Sequence, residues 1–161
     1  MSSDFGRRCV AWALAKLGRS YVWGGNGTVM WTKHGMKPTI DVAHVTEAYD
    51  CAGLVKAAAH ACGGTDLRAQ WNAQTMFDRL GPPSLAEDFV LRLYGKNAQA
   101  ISHVAFDLGK GLRLEAAGGD QTTLTLADAL NRKGAFVRIG FETRNDLIAI
   151  RSLSALEKAK P

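Results

Sequence analysis

No run in this chain reaches the roughly 18 consecutive apolar residues that a membrane-spanning helix needs, so no transmembrane segment is expected. The opening residues, Met1 to Arg8, lack the apolar core of a secretory leader. The apolar stretch behind them is broken by Lys16 and reads as an amphipathic helix. The expectation is a chain that is cytoplasmic at synthesis, or a mature form, that would leave the cell by lysis or by dedicated machinery. Cysteine is scarce: there are three, an odd number, with no Cys-x-x-Cys pair. That excludes a disulfide framework, and no Cys/His spacing suits zinc. Internal repeats, low-complexity tracts and blocks of like charge are absent as well, which excludes solenoids and charged tails.

What is present suits one compact domain, taken here as 1–161: 161 residues, 47% of them hydrophobic. The formal net charge is +5 and the sequence pI about 9.3. A basic surface suits anionic polymers such as teichoic acids, lipid or nucleic acid. The positive residues are scattered, though, which equally suits a plain solvated surface, and no nucleic-acid partner is expected. The spacing of Val10, Leu14 and Leu17 predicts a helix over 5–17, stopped by Gly18. A glycine-rich segment follows, and residues 26–47 show no period of two or 3.6, so a long loop insertion is expected there. Helices are predicted over 51–62 and 66–80. Strand patterns follow at 89–94, 101–108 and 112–116, then a short helix at 126–132 with Thr125 and Asp128 as a capping box. Two closing strands lie at 135–141 and 147–150. Helices first and an antiparallel sheet after them is an α+β pattern.

The segment Tyr49-Asp50-Cys51-Ala52-Gly53-Leu54-Val55 carries the most chemistry. It places a cysteine where a loop enters a helix. The unpaired N–H groups there stabilise a thiolate and are available to a carbonyl oxygen that gains charge. Small residues at 52 and 53 allow close approach of a substrate backbone. Cys9 and Cys62 read as small core residues. A nucleophilic cysteine needs a base. His60 shares the helix of Cys51 but lies more than two turns along it, and His34 and His44 fall in the insertion. His103 lies on a predicted strand, where alternation sets Ser102, Val104, Phe106 and Leu108 on the apolar face and His103 on the other. A third group should orient the imidazole. If Gly109-Lys110-Gly111 is a three-residue loop, Leu108 faces Leu112, Ala105 faces Glu115 and His103 faces Ala117. Glu115 then shares the face of His103. A two-residue loop would reverse that parity. Asp107 and Asp120 are the other candidate orienters.

Taken together, Tyr21-x-Trp23-Gly24-Gly25, Asp50-Cys51-Ala52-Gly53-Leu54-Val55, and Ser102-His103-Val104 ahead of Gly109-Lys110-Gly111 resemble the NlpC family of peptidoglycan peptidases over roughly residues 5–150. The resemblance implies a papain-like α+β fold, with N-terminal helices packed on a central antiparallel sheet, and no metal or other cofactor. It implies a thiol hydrolase acting on peptidoglycan stem peptides, typically at the amide between D-glutamate and a diamino acid. The implied catalytic set is Cys51, His103 and Glu115. Tyr21 would lie beside the cysteine, Asp50 would hold a substrate amine, and Arg68 on the following helix would contact substrate. The same site would also suit an N-acetylmuramoyl-L-alanine amidase or an acyltransferase, and a rival of another class is an inactive wall-binding module.

Two departures stand out. Ala52 occupies a position that is usually serine, which removes a hydroxyl from the peptide-binding side. The stretch from Gly25 to Cys51 is also long, and Met30, Trp31, His34 and Met36 in it suit a lid or groove wall. The sequence leaves the setting open among phage lysis, a delivered effector and peptide recycling; an effector would require an immunity or inhibitor protein.

Overall fold

The computed structural model describes residues 4–32, 35–38 and 47–161. Helix α1 (Asp4–Leu14) buries Phe5, Cys9, Val10 and Ala13, which share one face of a 3.6-residue period. It stops short of Leu17: residues 15–17 continue as turns to Gly18, whose φ of 83° ends the helical path. Strand β1 (Ser20–Tyr21) follows. The described part of the predicted insertion is more ordered than expected. It holds β2 (Asn26–Gly27), β3 (Val29–Thr32), β4 (Gly35–Pro38) and β5 (Ala48–Tyr49). Among the described residues, strands β3 and β4 pair only with each other, Val29 opposite Pro38 and Thr32 opposite Gly35. A ribbon apart from the main sheet has no need of the period-two pattern by which strands are recognised. Residues 33, 34 and 39–46 lie outside the described residues, His34 and His44 among them. The expected lid of Met30, Trp31, His34 and Met36 rests on side chains that also lie outside them.

Helix α2 (Cys51–Ala61) is favoured by its five alanines and is buried along most of its length. It is followed by α3 (Ala73–Arg79). That helix is shorter than predicted, because residues 66–72 serve another purpose. The carbonyls of Arg68 and Trp71 turn inward to accept from the buried Lys56 ammonium, at 3.1 and 2.5 Å, and Asn72 then caps α3 through Thr75 N–H. Strands β6 (Val90–Gly95), β7 (Ile101–Gly109) and β8 (Leu112–Ala117) come next. Helix α4 (Leu126–Asn131) has the predicted capping box of Thr125 and Asp128. Strands β9 (Phe136–Phe141) and β10 (Leu147–Ser152) and a 3₁₀ turn (Ser154–Lys158) close the chain.

The main sheet has the strand order β10-β6-β7-β8-β9-β1-β5-β2. It departs from the expected antiparallel sheet in one pair, β1 with β5, which is parallel. Parallel neighbours need a long connection, and the segment from β2 to β4 provides it. The pairing sets Tyr21 opposite Tyr49, two residues before Cys51. Helix α2 packs between α1 and strands β7 and β8. Leu54, Val55 and Ala58 of α2 join Val104, Phe106 and Leu114 in the core.

The entry to α2 is the tightest junction of the fold. Asp50 is its N-cap and accepts from Gly53 N–H at 2.6 Å, while its other oxygen accepts from Gly24 N–H at 2.8 Å. Asp50 N–H in turn donates to Gly25 O at 3.0 Å. A Cβ at position 53 would lie 1.7 Å from Gly25 O, whereas one at Gly81 would meet nothing within 4 Å. The same substitution should therefore act oppositely at the two sites. Gly53→Ala is expected to lose on the order of 3 kcal/mol or more, and Gly81→Ala to hold or gain within about 1 kcal/mol. Urea unfolding of both variants checks this, and equal midpoints would refute the close approach.

Candidate active site

Cys51 is the first residue of α2, so the positive end of that helix lies at its backbone N–H. Its side chain is buried, with Sγ 3.8 Å from the carbonyl oxygen of Ser102 on β7. Next along β7 is His103, also buried. Its Nε2 lies 2.7 Å from Glu115 Oε2 on β8, and it interacts with the Cys51 thiol as well. With Nε2 engaged by the carboxylate, Nδ1 is the ring nitrogen left for sulfur. The three side chains thus form a chain from helix to strand to strand.

The register that brings Glu115 to His103 is the expected one, reached by a different device. The turn is the two-residue Lys110-Gly111 between Gly109 and Leu112, which by itself would reverse the parity. A bulge at Leu108 restores it, so Asp107 faces Arg113 and Phe106 faces Leu114. The turn takes positive φ at Gly109, Lys110 and Gly111. A second bulge corrects the reading of Ser102. Tyr94 pairs with His103 and Gly95 with Ile101, so Ser102 is the extra residue and is exposed rather than on the apolar face.

Electrostatics follow from burial and from these partners. For His103, burial works against the charged ring. Hydrogen bonds to Cys51 and Glu115 and their charges outweigh it and hold the imidazolium up at about 9. For Glu115, burial raises the carboxyl. The hydrogen bond to His103 and the Arg113 guanidinium beside it outweigh that and hold it down at about 2. Arg113 Nε stands 2.9 Å from Glu115 Oε2 but out of line for a hydrogen bond, so the contact is an ion pair. Arg113 Nη1 donates to Phe141 O at 2.6 Å. The Tyr94 ring tilts against the imidazole with centroids 5.7 Å apart, and its hydroxyl donates to Glu142.

These groups line a cleft of about 800 Å³. Tyr21 and Ala52 line it beside Cys51. The Tyr21 ring is fixed by Gly119, where a Cβ would stand 2.1 Å from its Cδ1. Burial, with the Cys51 and Asp50 charges nearby, pushes its phenol up. Asp50 borders the cleft too, but both its oxygens already accept from backbone N–H groups, so its first task is to build the α2 entrance. Arg68 does not line the cleft. It lies in a turn rather than on a helix and is held by Asp66 through Nε and Nη2, each at 2.8 Å. The other candidate orienters are occupied elsewhere. Asp107 pairs with Arg92 at 2.8 Å, and Asp120 holds Thr122 and Arg132 at the cleft rim.

Sequence reasoning missed Arg113, Arg138, Arg144 and Lys56, all of which line the cleft. Period-two alternation from Glu115 reaches Arg113. Arg138 follows only from the β8–β9 register, which sets it opposite Glu115. Among the described residues, no group of three or more His, Cys, Asp or Glu gathers as a metal site.

No protein-family model matches this sequence, and no curated protein matches it. Solved structures do. The P60 domain of antigen MAP1204 from M. avium subspecies paratuberculosis matches with a TM-score of 0.61 at 19% identity, over 94% of this chain and 95% of that one. The peptidoglycan hydrolase RipB from Mycobacterium tuberculosis gives 0.59 at 20% identity, over 94% of this chain and 66% of that one, just under two thirds of its length. RipD from Mycobacterium tuberculosis, a non-catalytic NlpC/p60 domain protein adapted to peptidoglycan binding, gives 0.55 at 20%, over 92% and 95%. At these identities the likeness is one of architecture: this chain is built on the NlpC/p60 fold.

Proposed function

We propose that this protein is a cysteine peptidase that hydrolyses peptidoglycan stem peptides at the amide between D-glutamate and a diamino acid. The observation that supports this most is the Cys51–His103–Glu115 chain at the floor of the cleft, with the thiol on a helix N-terminus and the carboxylate 2.7 Å from the far imidazole nitrogen. The wall substrate is drawn from the sequence resemblance, and the fold neighbour RipB is a peptidoglycan hydrolase.

In this reading Cys51 and His103 act as a thiolate–imidazolium pair, with Glu115 fixing the ring. The thiolate attacks the amide carbon, and the Cys51 backbone N–H, with Tyr21 nearby, stabilises the oxyanion. Collapse of the intermediate expels the amine, which takes the His103 proton, and leaves a thioester. Water then adds to the thioester while His103 accepts its proton, and the thiol departs. The RipD comparison shows that the fold alone does not bring catalysis. The intact thiol, imidazole and carboxylate favour an enzyme here.

Digestion of peptidoglycan sacculi and of free stem peptides, read by mass spectrometry, tests the reaction. Cleavage at the D-glutamyl–diamino-acid bond is expected, and Cys51→Ala should reduce it by at least about 10³-fold without a change in thermal midpoint beyond a few degrees. New muramoyl or L-alanine termini would replace this reading with the amidase. Full activity in Cys51→Ala would sink the scheme.

The pH profile gives a second check. His103 must carry a proton for the leaving amine, so kcat/KM should hold through neutrality and fall above about 9. Cys51 and Glu115 both raise this imidazolium, and Glu115→Gln removes the second of them, so the alkaline limb should move down from about 9. Stability has the matching sign. The raised His103 contributes fully below 6.5 and loses its contribution as pH climbs through about 9; the depressed Glu115 contributes fully above 4.5 and loses it as pH falls toward about 2. The part of the urea midpoint that Glu115→Gln removes should therefore be largest between those two ordinary values. An alkaline limb unmoved by Glu115→Gln would rule out its role as orienter.

A further inference from the structure

Besides His103, four described lysine and arginine side chains line the cleft: Lys56, Arg113, Arg138 and Arg144. Three of them are spoken for. Lys56 is buried and donates to two carbonyls. Arg113 is buried between Glu115, Glu142 and the Phe141 carbonyl. Arg144 forms a two-point pair with Asp146, at 2.8 and 2.6 Å, and covers the Tyr94 ring.

Arg138 is held differently. Its nearest carboxylate oxygen is Glu115 Oε1, 3.6 Å from Nε and beyond hydrogen-bonding range. Its hydrogen bond to Gly134 O from Nη1 is long, at 3.4 Å. Its side chain is 37% exposed, against 8% for Arg113. The close contacts of Glu115, to His103 and Arg113 at 2.7 and 2.9 Å, both fall on Oε2, and only Oε1 faces Arg138. Glu115 Oε1 is itself buried without a hydrogen-bond partner, so its 3.6 Å contact with Arg138 is a loose ion pair and leaves the outer face of the guanidinium open to the cleft. The strand register nonetheless sets Arg138 directly opposite Glu115. A planar fork of donors thus stands in the cleft wall, on the side of the imidazole away from sulfur.

We infer that Arg138 binds a carboxylate of the substrate residue that supplies the leaving amine, and so selects leaving residues that carry a free carboxylate. The placement agrees with the order of the site. His103 delivers its proton to the departing nitrogen, so the leaving residue lies on the imidazole side of Cys51, the side on which Arg138 stands. A guanidinium fork matches a carboxylate in two-point geometry, which a carboxamide reproduces poorly. This inference rests on the peptidase reading for the direction of the substrate.

Two measurements separate it from that reading. The first is kcat/KM on a stem peptide ending in diaminopimelate, set against the same peptide with its diaminopimelate carboxyls as carboxamides. Wild type should prefer the acid by roughly tenfold to hundredfold. Arg138→Met should erase that preference by slowing the acid substrate alone, and Arg138→Lys should keep part of it. An equal loss on both peptides, accompanied by a downward shift of the alkaline limb, would make Arg138 a support for Glu115 and overturn the inference. So would an absence of preference in wild type. The second is calorimetric binding of free diaminopimelate to Cys51→Ala protein with and without Arg138→Met, which needs no turnover. At least tenfold weaker binding in the double variant is expected. Unchanged binding refutes the carboxylate site whatever the enzyme cleaves, whereas binding that depends on Arg138, without cleavage of either peptide, would sink the peptidase reading alone.

Discussion

The carboxylate of Asp50 holds the site together before any chemistry begins. One oxygen caps α2 through Gly53 N–H and the other takes Gly24 N–H. Two stretches of chain some 26 residues apart are thereby locked edge to edge, with Gly25 O against the Cα of Gly53. That contact accounts for both glycine-bearing motifs of the sequence. Tyr21-Val22-Trp23-Gly24-Gly25 must turn tightly and offer its amides, and Asp50-Cys51-Ala52-Gly53 must have no side chain where the turn presses on the helix. Burial pushes the Asp50 carboxyl up, and the Lys56 charge and the two backbone bonds work against that. The result is a helix entrance with Cys51 at its first position and Tyr21 beside it, set by backbone rather than by flexible side chains.

The opposite wall of the cleft is built from charge. Glu115 is almost fully buried and serves His103, Arg113 and Arg138. Behind it, Glu142 meets Arg92, Arg113 and the Tyr94 hydroxyl, and Asp107 meets Arg92. A buried ionic cluster of this kind is weak evidence for stability, because desolvation offsets most of the attraction. Its value is in geometry and charge. It fixes the imidazole ring and holds His103 and Glu115 far from their ordinary protonation behaviour, in opposite senses. A group shifted by burial and a specific charge partner and set in a cleft is a candidate functional group.

Much of this was legible in the sequence where the signal was local. The start of α2, its alanine-rich body, the Thr125–Asp128 capping box and the helices-then-sheet order all depend on residues within a few positions of one another. Glu115 was legible for a subtler reason. Parity along β7 and β8 is preserved because the tight turn at Lys110-Gly111 and the bulge at Leu108 cancel. What was not legible depends on partners far away in the chain. The parallel pairing of β1 with β5, the bulge that exposes Ser102, and the placement of Arg138 all come from sheet registers that no local pattern encodes. The shortening of α3 belongs here as well. The 66–72 segment looks helical until the buried Lys56 ammonium claims its carbonyls, and with them goes the expected helical setting of Arg68.

The two walls have different freedoms, and that bears on how one fold supports both hydrolases and a binding protein. The Cys51 wall is constrained by backbone contacts, so a side chain added where those backbones meet, as at Gly53, disturbs the fold. The sheet wall carries its chemistry on side chains of β7, β8 and β9 that line the cleft, where a substitution alters the charges of the site, and the stability they contribute, without touching the backbone contacts at the α2 entrance. Loss of the thiol, imidazole or carboxylate would leave a wall-shaped groove intact. Conversely, a strand position such as 138 can acquire a guanidinium without moving Cys51. In this chain the backbone-built wall presents the thiol and the small Ala52, while the charged wall presents the His103 imidazole and the Arg138 guanidinium, whose nearest carboxylate oxygen is 3.6 Å away. Under the proposed peptidase reading, that division would make the helix side the place where the bond is attacked, and the sheet side the place where the leaving residue is recognised and released.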